Sequence, residues 1–126
     1  MKQGILMVAH GARAAGWDAP FQAVLARLRA SGEPAEYALA FLEHKAPPVA
    51  DAVHALVRAG CTQVRLVPML LGVGAHARDD LPRLLAEARA AHPQVQFSLS
   101  TTLGESEAML AAMTQFVRAA GASPDA

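Results

Sequence analysis

Residues 4–13, Gly4-Ile5-Leu6-Met7-Val8-Ala9-His10-Gly11-Ala12-Arg13, join a short apolar run to an abrupt polar exit. Ile5 to Ala9 is an unbroken apolar stretch with no alternation, the mark of a strand covered on both faces. It is too short for a signal-peptide core or a membrane span. The next twenty residues decide the fold. Asp18 is a good N-cap, Pro20 falls in a first turn, and Phe21, Val24, Leu25 and Leu28 recur at i, i+3, i+4 and i+7. That spacing predicts one buried helical face, which Ser31-Gly32 ends.

The same unit recurs along the rest of the chain. Tyr37 to Leu42 reads as a second strand, and Pro47-Pro48 opens a helix with Val49, Val53, Leu56 and Val57 inward and Gly60 as its stop. Val64 to Val67 reads as a third strand running on through Pro68-Met69-Leu70-Leu71. A third helix is expected after Asp79-Asp80, carried by Leu81, Leu84, Leu85 and Ala88. Val95 to Leu99 is the fourth strand. Met109, Ala112, Met113, Phe116 and Val117 mark the last helix, with a frayed tail at 121–126. Such alternation implies an α/β three-layer sandwich: a four-stranded parallel sheet, right-handed crossovers and helices on both faces. No repeat, low-complexity segment or linker interrupts it. Residues 1–126 are expected to form one domain, with its core at about 4–118.

Composition narrows the function. The 126 residues carry eleven basic and eleven acidic side chains, so no basic surface argues for nucleic acid and no acidic tail argues for disorder. Nothing in the sequence suggests a membrane partner. A single cysteine, Cys61, rules out an internal disulfide, fits a cytoplasmic protein, and reads as small core filler.

In an open parallel sheet, ligands bind beyond the carboxyl ends of the strands. The first strand ends at His10, the second at Glu43, and the third runs into Gly72-Val73-Gly74-Ala75-His76-Ala77-Arg78. Three separated segments therefore deliver His, Glu and His to one rim. Alone, each has an ordinary explanation. A histidine after a strand caps or shapes a loop, and a carboxylate before a helix is favoured by the helix dipole. Together they form a donor set suited to Co, Ni, Fe or Zn at an open site. His44 should point away or stand behind the ligands, while His54 and His92 read as surface residues. Arg13, Lys45 and Arg78 flank the rim. Gly72 to Ala77 also matches a G-x-G-x-x-A dinucleotide motif, but it follows the wrong strand and lacks the acidic residue after the next one, so no nucleotide is expected.

With these residues assembled, the sequence resembles a short sirohydrochlorin chelatase of the CbiX/SirB type, in the class II tetrapyrrole chelatase superfamily. The resemblance runs from Gly4 to about Val117. It rests on Ala9 to Arg13, Trp17 with Pro20-Phe21, Leu39 to Glu43, Pro68 to Gly72, Gly74 to Pro82 and Leu103-Gly104-Glu105. Ala12 stands where the family usually has Ser, and Ala75 where a second Gly is common.

The resemblance implies ATP-independent insertion of a divalent metal into sirohydrochlorin. Co2+ is the foremost candidate, with Fe2+ or Ni2+ in relatives. It places the metal-site histidines at His10 and His76 and the glutamate at Glu43, which would complete the site or take a pyrrole proton. Met69, Leu70, Leu71 and Val73 would hold the macrocycle face, and Arg13 and Arg78 its acid groups. Longer members carry two such domains across a cleft, so a homodimer is expected to supply the second wall here. Imidazoles bind metal only when neutral, so acid should weaken the site. Two other classes stand beside this one: a non-catalytic metal or tetrapyrrole carrier, and a phosphate- or nucleotide-binding α/β regulator.

Overall fold

The computed structural model describes residues 1–123, the side chain of His76 excepted. Four parallel strands, β1 (Gln3–Ala9), β2 (Glu36–Phe41), β3 (Gln63–Pro68) and β4 (Gln96–Leu99), lie in the order β2-β1-β3-β4. Between and after them run the helices α1 (Ala19–Ala30), α2 (Val49–Arg58), α3 (Ala75–Ala91) and α4 (Glu107–Ala122), with a 3-10 turn over Leu103–Glu105. The expected α/β architecture with a four-stranded parallel sheet is present.

Side-chain alternation divides the core in two. Leu6, Val8, Ala40, Val64, Leu66 and Phe97 point to one face, where Val53 and Leu56 of α2 and Leu81 and Ala88 of α3 cover them. Met7, Ala9, Tyr37, Leu39 and Phe41 point to the other, where Leu25 of α1 lies on them with Phe21 and Leu28 half-buried. Leu6, Val8 and Leu66 are wholly shielded from water. Each such side chain contributes about 1.5–3 kcal/mol through burial.

Several expectations need correction. Val24 is 37% exposed, because α1 covers only the β1–β2 half of its sheet face and Val24 falls on the outer edge of the stripe. β3 leaves the sheet at Pro68, three residues earlier than the apolar run suggests, after which residues 69–74 form a loop. α3 starts at Ala75 and carries Pro82 inside it, so Asp79-Asp80 lie within the helix and do not precede it. The extended Gly74 at its N-cap marks the true start.

Nor is β3 covered on both faces. Arg65 pairs in register with Ile5 on the α1 side and is exposed, Val67 is half-buried, and the neighbouring Gln96 of β4 is exposed. No residue of α4 joins either core. α4 continues through Gly121 to Ala122, so the expected fraying does not start at residue 121; residues 124–126 lie outside the described residues.

Candidate functional site

Parallel strands leave a sheet at the same edge, so the exits of β1, β2 and β3 are neighbours by topology. Hydrogen bonding carries that registry past the strand ends. The Leu42 N–H donates to the Ala9 carbonyl at 2.9 Å, and the Glu43 N–H donates to the His10 carbonyl at 2.9 Å. On the other side of β1, the Met69 N–H donates to the Val8 carbonyl at 2.8 Å. His10 therefore leaves the sheet from the central position, with the Glu43 segment on one flank and the β3–α3 connection on the other. The backbone of His76 comes at the end of that connection, as the second residue of α3. The side chain of His76, one of the three expected ligands, lies outside the described residues. His10 and Glu43 are both exposed.

Glycine makes the close approach possible. Gly11 has φ of 91°, and a Cβ built there would sit 1.8 Å from the Glu43 carbonyl oxygen. A side chain at position 11 would force the two exits apart. Gly104 does the same across the next gap: its N–H donates to the Leu70 carbonyl at 3.0 Å, and a Cβ would lie 1.8 Å from the Leu71 carbonyl oxygen. The turn after β4 is thereby pressed against the loop after β3.

The charged groups on the rim are arranged around Glu43. His44, at φ of 64°, does not point elsewhere as strand alternation would have it; its Nε2 lies 3.6 Å from Glu43 Oε2. Lys45 is tied down by Asp18, whose Oδ1 lies 3.4 Å from its Nζ. Asp18 also accepts from Gln22 Nε2 at 3.0 Å. The Gln22 hydrogen bond, with a smaller contribution from Lys45, holds the Asp18 carboxyl below the usual carboxylate range. The loop bearing Glu43 is thus pinned to the start of α1.

The expected substrate contacts separate into two groups. Arg13 and Arg78 are exposed, Leu71 is 61% exposed, and Met69 and Val73 are half-buried. Leu70 cannot hold a ligand face, because it is 2% exposed and belongs to the core beneath α2 and α3. Val73 and Arg78 line a hollow of about 200 Å³ at the carboxyl ends of β3 and β4, together with Ser100, Thr101, Thr102 and Glu105. Sequence reasoning does not find these last four residues. Leu103-Gly104-Glu105 signals only resemblance, yet Glu105 accepts from the buried Thr102 hydroxyl at 2.8 Å and closes this end of the rim.

Among the described residues, no three His, Cys, Asp or Glu side chains form a metal cluster. The expected trio includes His76 and so falls partly outside them. An imidazole and a carboxylate at a water-exposed edge suit a borderline divalent ion held in an open coordination sphere. Such an ion keeps free positions for a second ligand.

Comparison with known proteins gives a consistent picture. The sequence profile of the CbiX family matches residues 4–120. The sirohydrochlorin ferrochelatase of Bacillus subtilis strain 168 is 31% identical over 113 residues, covering 90% of this chain and 43% of the relative. A crystal structure of a CbiX protein from Marinobacter aquaeolei VT8, assigned to cobalamin (vitamin B12) biosynthesis, superposes with a TM-score of 0.80 at 27% identity; 92% of this chain and 94% of that one are covered. The sirohydrochlorin chelatase SirB from Bacillus subtilis subspecies spizizenii, in complex with cobalt, gives a TM-score of 0.75 at 33% identity over 85% of this chain and 46% of its own. The chain spans less than half the length of the sirohydrochlorin ferrochelatases of Bacillus subtilis and Priestia megaterium that it matches.

Proposed function

This chain belongs to the CbiX family, and from that premise we propose that it inserts a divalent metal ion, Co2+ before Fe2+ or Ni2+, into sirohydrochlorin. The observation that carries this reading is the Glu43 N–H bond to the His10 carbonyl, which holds the backbones of a histidine and a glutamate side by side at the ligand-binding edge of the sheet.

The chemistry is dictated by charge balance. A dication entering the neutral tetrapyrrole core displaces two pyrrole protons, so a site that supplies metal and accepts protons in one place avoids building up charge. In this reading, His10 and His76 carry the incoming ion, while Glu43 completes its shell and then takes the two displaced protons one after the other. His44, 3.6 Å from that carboxylate, passes each proton outward. Met69, Leu71 and Val73 meet the ring face. Arg13 and Arg78 pair with its peripheral carboxylates. No nucleotide takes part.

One chelatase-like unit of this kind gives a flat substrate a single wall, and a second copy supplies the other. The relative named ferrochelatase and the structure holding cobalt support a divalent ion without choosing it. Intrinsic affinities along the first transition row differ in a fixed order, so cellular supply sets the physiological metal. No helix among the described residues is long and apolar enough to cross a membrane; we place the protein in the cytoplasm.

The test is spectroscopic. Sirohydrochlorin is mixed with Co2+, Ni2+ or Fe2+ with and without protein, and the macrocycle absorbance is followed. Insertion well above the spontaneous rate is expected for at least one ion. Binding of both components with no acceleration would instead make the protein a carrier.

A further inference from the structure

Two histidines outside the rim stand in a relation that the rim chemistry does not use. His54, in the middle of α2, is exposed as its place in the sequence suggests, whereas His92, which caps α3, is half-buried. Their ring centres are 5.8 Å apart, with the planes tilted by 33°. From this pair we propose a second metal site, at which one borderline divalent ion such as Zn2+, Ni2+ or Cu2+ joins α2 to α3. The site does not depend on the chelatase reading.

The separation suits a shared ion. A zinc–imidazole bond of about 2.0–2.1 Å puts the ring centre about 3.2 Å from the metal. Two rings at a tetrahedral angle then have centres about 5.2 Å apart, and at wider angles up to about 6.4 Å. The observed distance falls inside that span, so a small rotation of the exposed His54 brings a nitrogen of each ring to one point. The groove between the two helices beside His92, about 220 Å³ and lined by Val49, Val53 and Leu84, leaves room for the pair to close. Among the described residues, no hydrogen bond or ion pair engages either ring, so an ion displaces only water.

Both backbones are fixed, as a site with only two protein ligands needs. His54 lies between Val53 and Leu56, which anchor α2 in the core. The His92 N–H donates to the Ala88 carbonyl at 3.0 Å, and the His92 carbonyl accepts from the Val95 N–H at 3.0 Å. The His92 ring also packs on the buried Phe97 of β4, with centres 6.3 Å apart. Ligands carried on rigid elements lose little freedom when they bind.

Charge favours a cation there. His92 ends α3, where carbonyls without helical partners form the negative end of the helix dipole. Arg89, in that last turn, is directed to β4, its Nη2 donating to the Phe97 carbonyl at 3.0 Å. On α2, Asp51 and Arg58 lie a turn before and a turn after His54, so their charges offset. Among the described residues, no third His, Cys, Asp or Glu joins the pair, so water completes the coordination. Imidazole donors select Zn2+, Ni2+ or Cu2+ over Mg2+ and Ca2+, which prefer oxygen.

This ion is distinct from the one at the rim. The 17 residues of α3 span about 25 Å, so His92 lies roughly that far from Ala75, the neighbour of His76. Bound there, the ion clips α2, which follows the Glu43 loop, to α3, which starts beside the rim. It stiffens the frame that carries the expected ligands.

Equilibrium dialysis of the whole chain against Zn2+, above the ordinary histidine pKa of about 6.5, tests this. His54→Phe and His92→Phe keep an aromatic ring in each place and remove its donors. Each should bind one Zn2+ per chain fewer than the wild type with unchanged far-ultraviolet circular dichroism, and His10→Ala should keep that ion. Zn2+ should also raise the wild-type Tm by more than that of either Phe variant, because a bridging ion binds the folded chain more tightly than the unfolded one. Folded Phe variants that hold as many ions as the wild type overturn the proposal, as does a wild type that binds no Zn2+. The exposed His54→Phe exchange decides the matter if His92→Phe unfolds. An ion lost in the Phe variants and kept in His10→Ala supports this site even where insertion fails. An ion lost only in His10→Ala belongs to the rim and contradicts it.

Discussion

The backbone N–H of Glu43 donates to the carbonyl of His10 at 2.9 Å, just beyond the point where both strands have left the sheet. Residues 33 positions apart are therefore fixed by backbone geometry, without relying on flexible side chains. The same contact explains Gly11, since any Cβ there would overlap the Glu43 carbonyl.

Gly11→Ala should therefore damage the site and the fold together. The left-handed φ alone costs about 1–3 kcal/mol, and the clash with Glu43 adds to it. Urea denaturation should show a lower midpoint, and calorimetric titration with Co2+ should show weakened binding. Wild-type values in both would mean that the two exits are not coupled as described.

Glu43→Gln and His44→Ala should differ in kind. Glutamine keeps the size of Glu43 but cannot take a proton, so insertion should fall about 100-fold or more, within the range for lost acid–base catalysis. His44 touches Glu43 without being an expected ligand. Its loss should cost on the order of 10-fold, the scale seen when a partner of a ligand is removed, and metal affinity should change less than rate. Equal losses in rate and affinity for His44→Ala would make it a ligand and overturn the relay.

Cys61 should be inert in the folded protein. It is 2% exposed, and burial pushes its thiol pKa up, with a smaller opposing pull from Lys2. Aromatic disulfide reagents should label it only after unfolding. Because the folded pKa is the higher one, the folded state holds its proton more tightly. That contribution to stability is complete below the unfolded thiol value of about 8.5 and is lost as pH rises above it. Rapid labelling of native protein would show that the packing around Gly4 and Leu56 opens.

Much of this is legible from residue order alone. The Ile5–Ala9 run, the helical spacing from Phe21 to Leu28 and the repeated strand–helix alternation define the sheet and its ligand-binding edge, because hydrophobic period and crossover handedness leave few alternatives. His10 and Glu43 stand out for the same reason: each is the first strongly polar residue after a buried strand.

The departures have physical causes. Asp79-Asp80 interrupts the apolar period and so suggests a late start for α3, whereas both residues lie inside the helix. Continued strand alternation would send His44 away from Glu43; its positive φ breaks that alternation. Phe116 and Val117 carry the same apolar period as the residues of α2, but periodicity reports that a face wants burial and not which surface buries it. Ser100, Thr101, Thr102 and Glu105 escape because single polar residues in a turn have no period at all.

The central claim is that the edge bearing residues 10, 43 and 76 carries the metal to the macrocycle. Initial rates of Co2+ insertion into sirohydrochlorin, measured for the wild type, His10→Ala and His76→Ala at equal folded concentration, test it most directly. The wild type should exceed the spontaneous rate, and each variant should fall to it while retaining its circular dichroism. Near-normal insertion by either folded variant would contradict the claim.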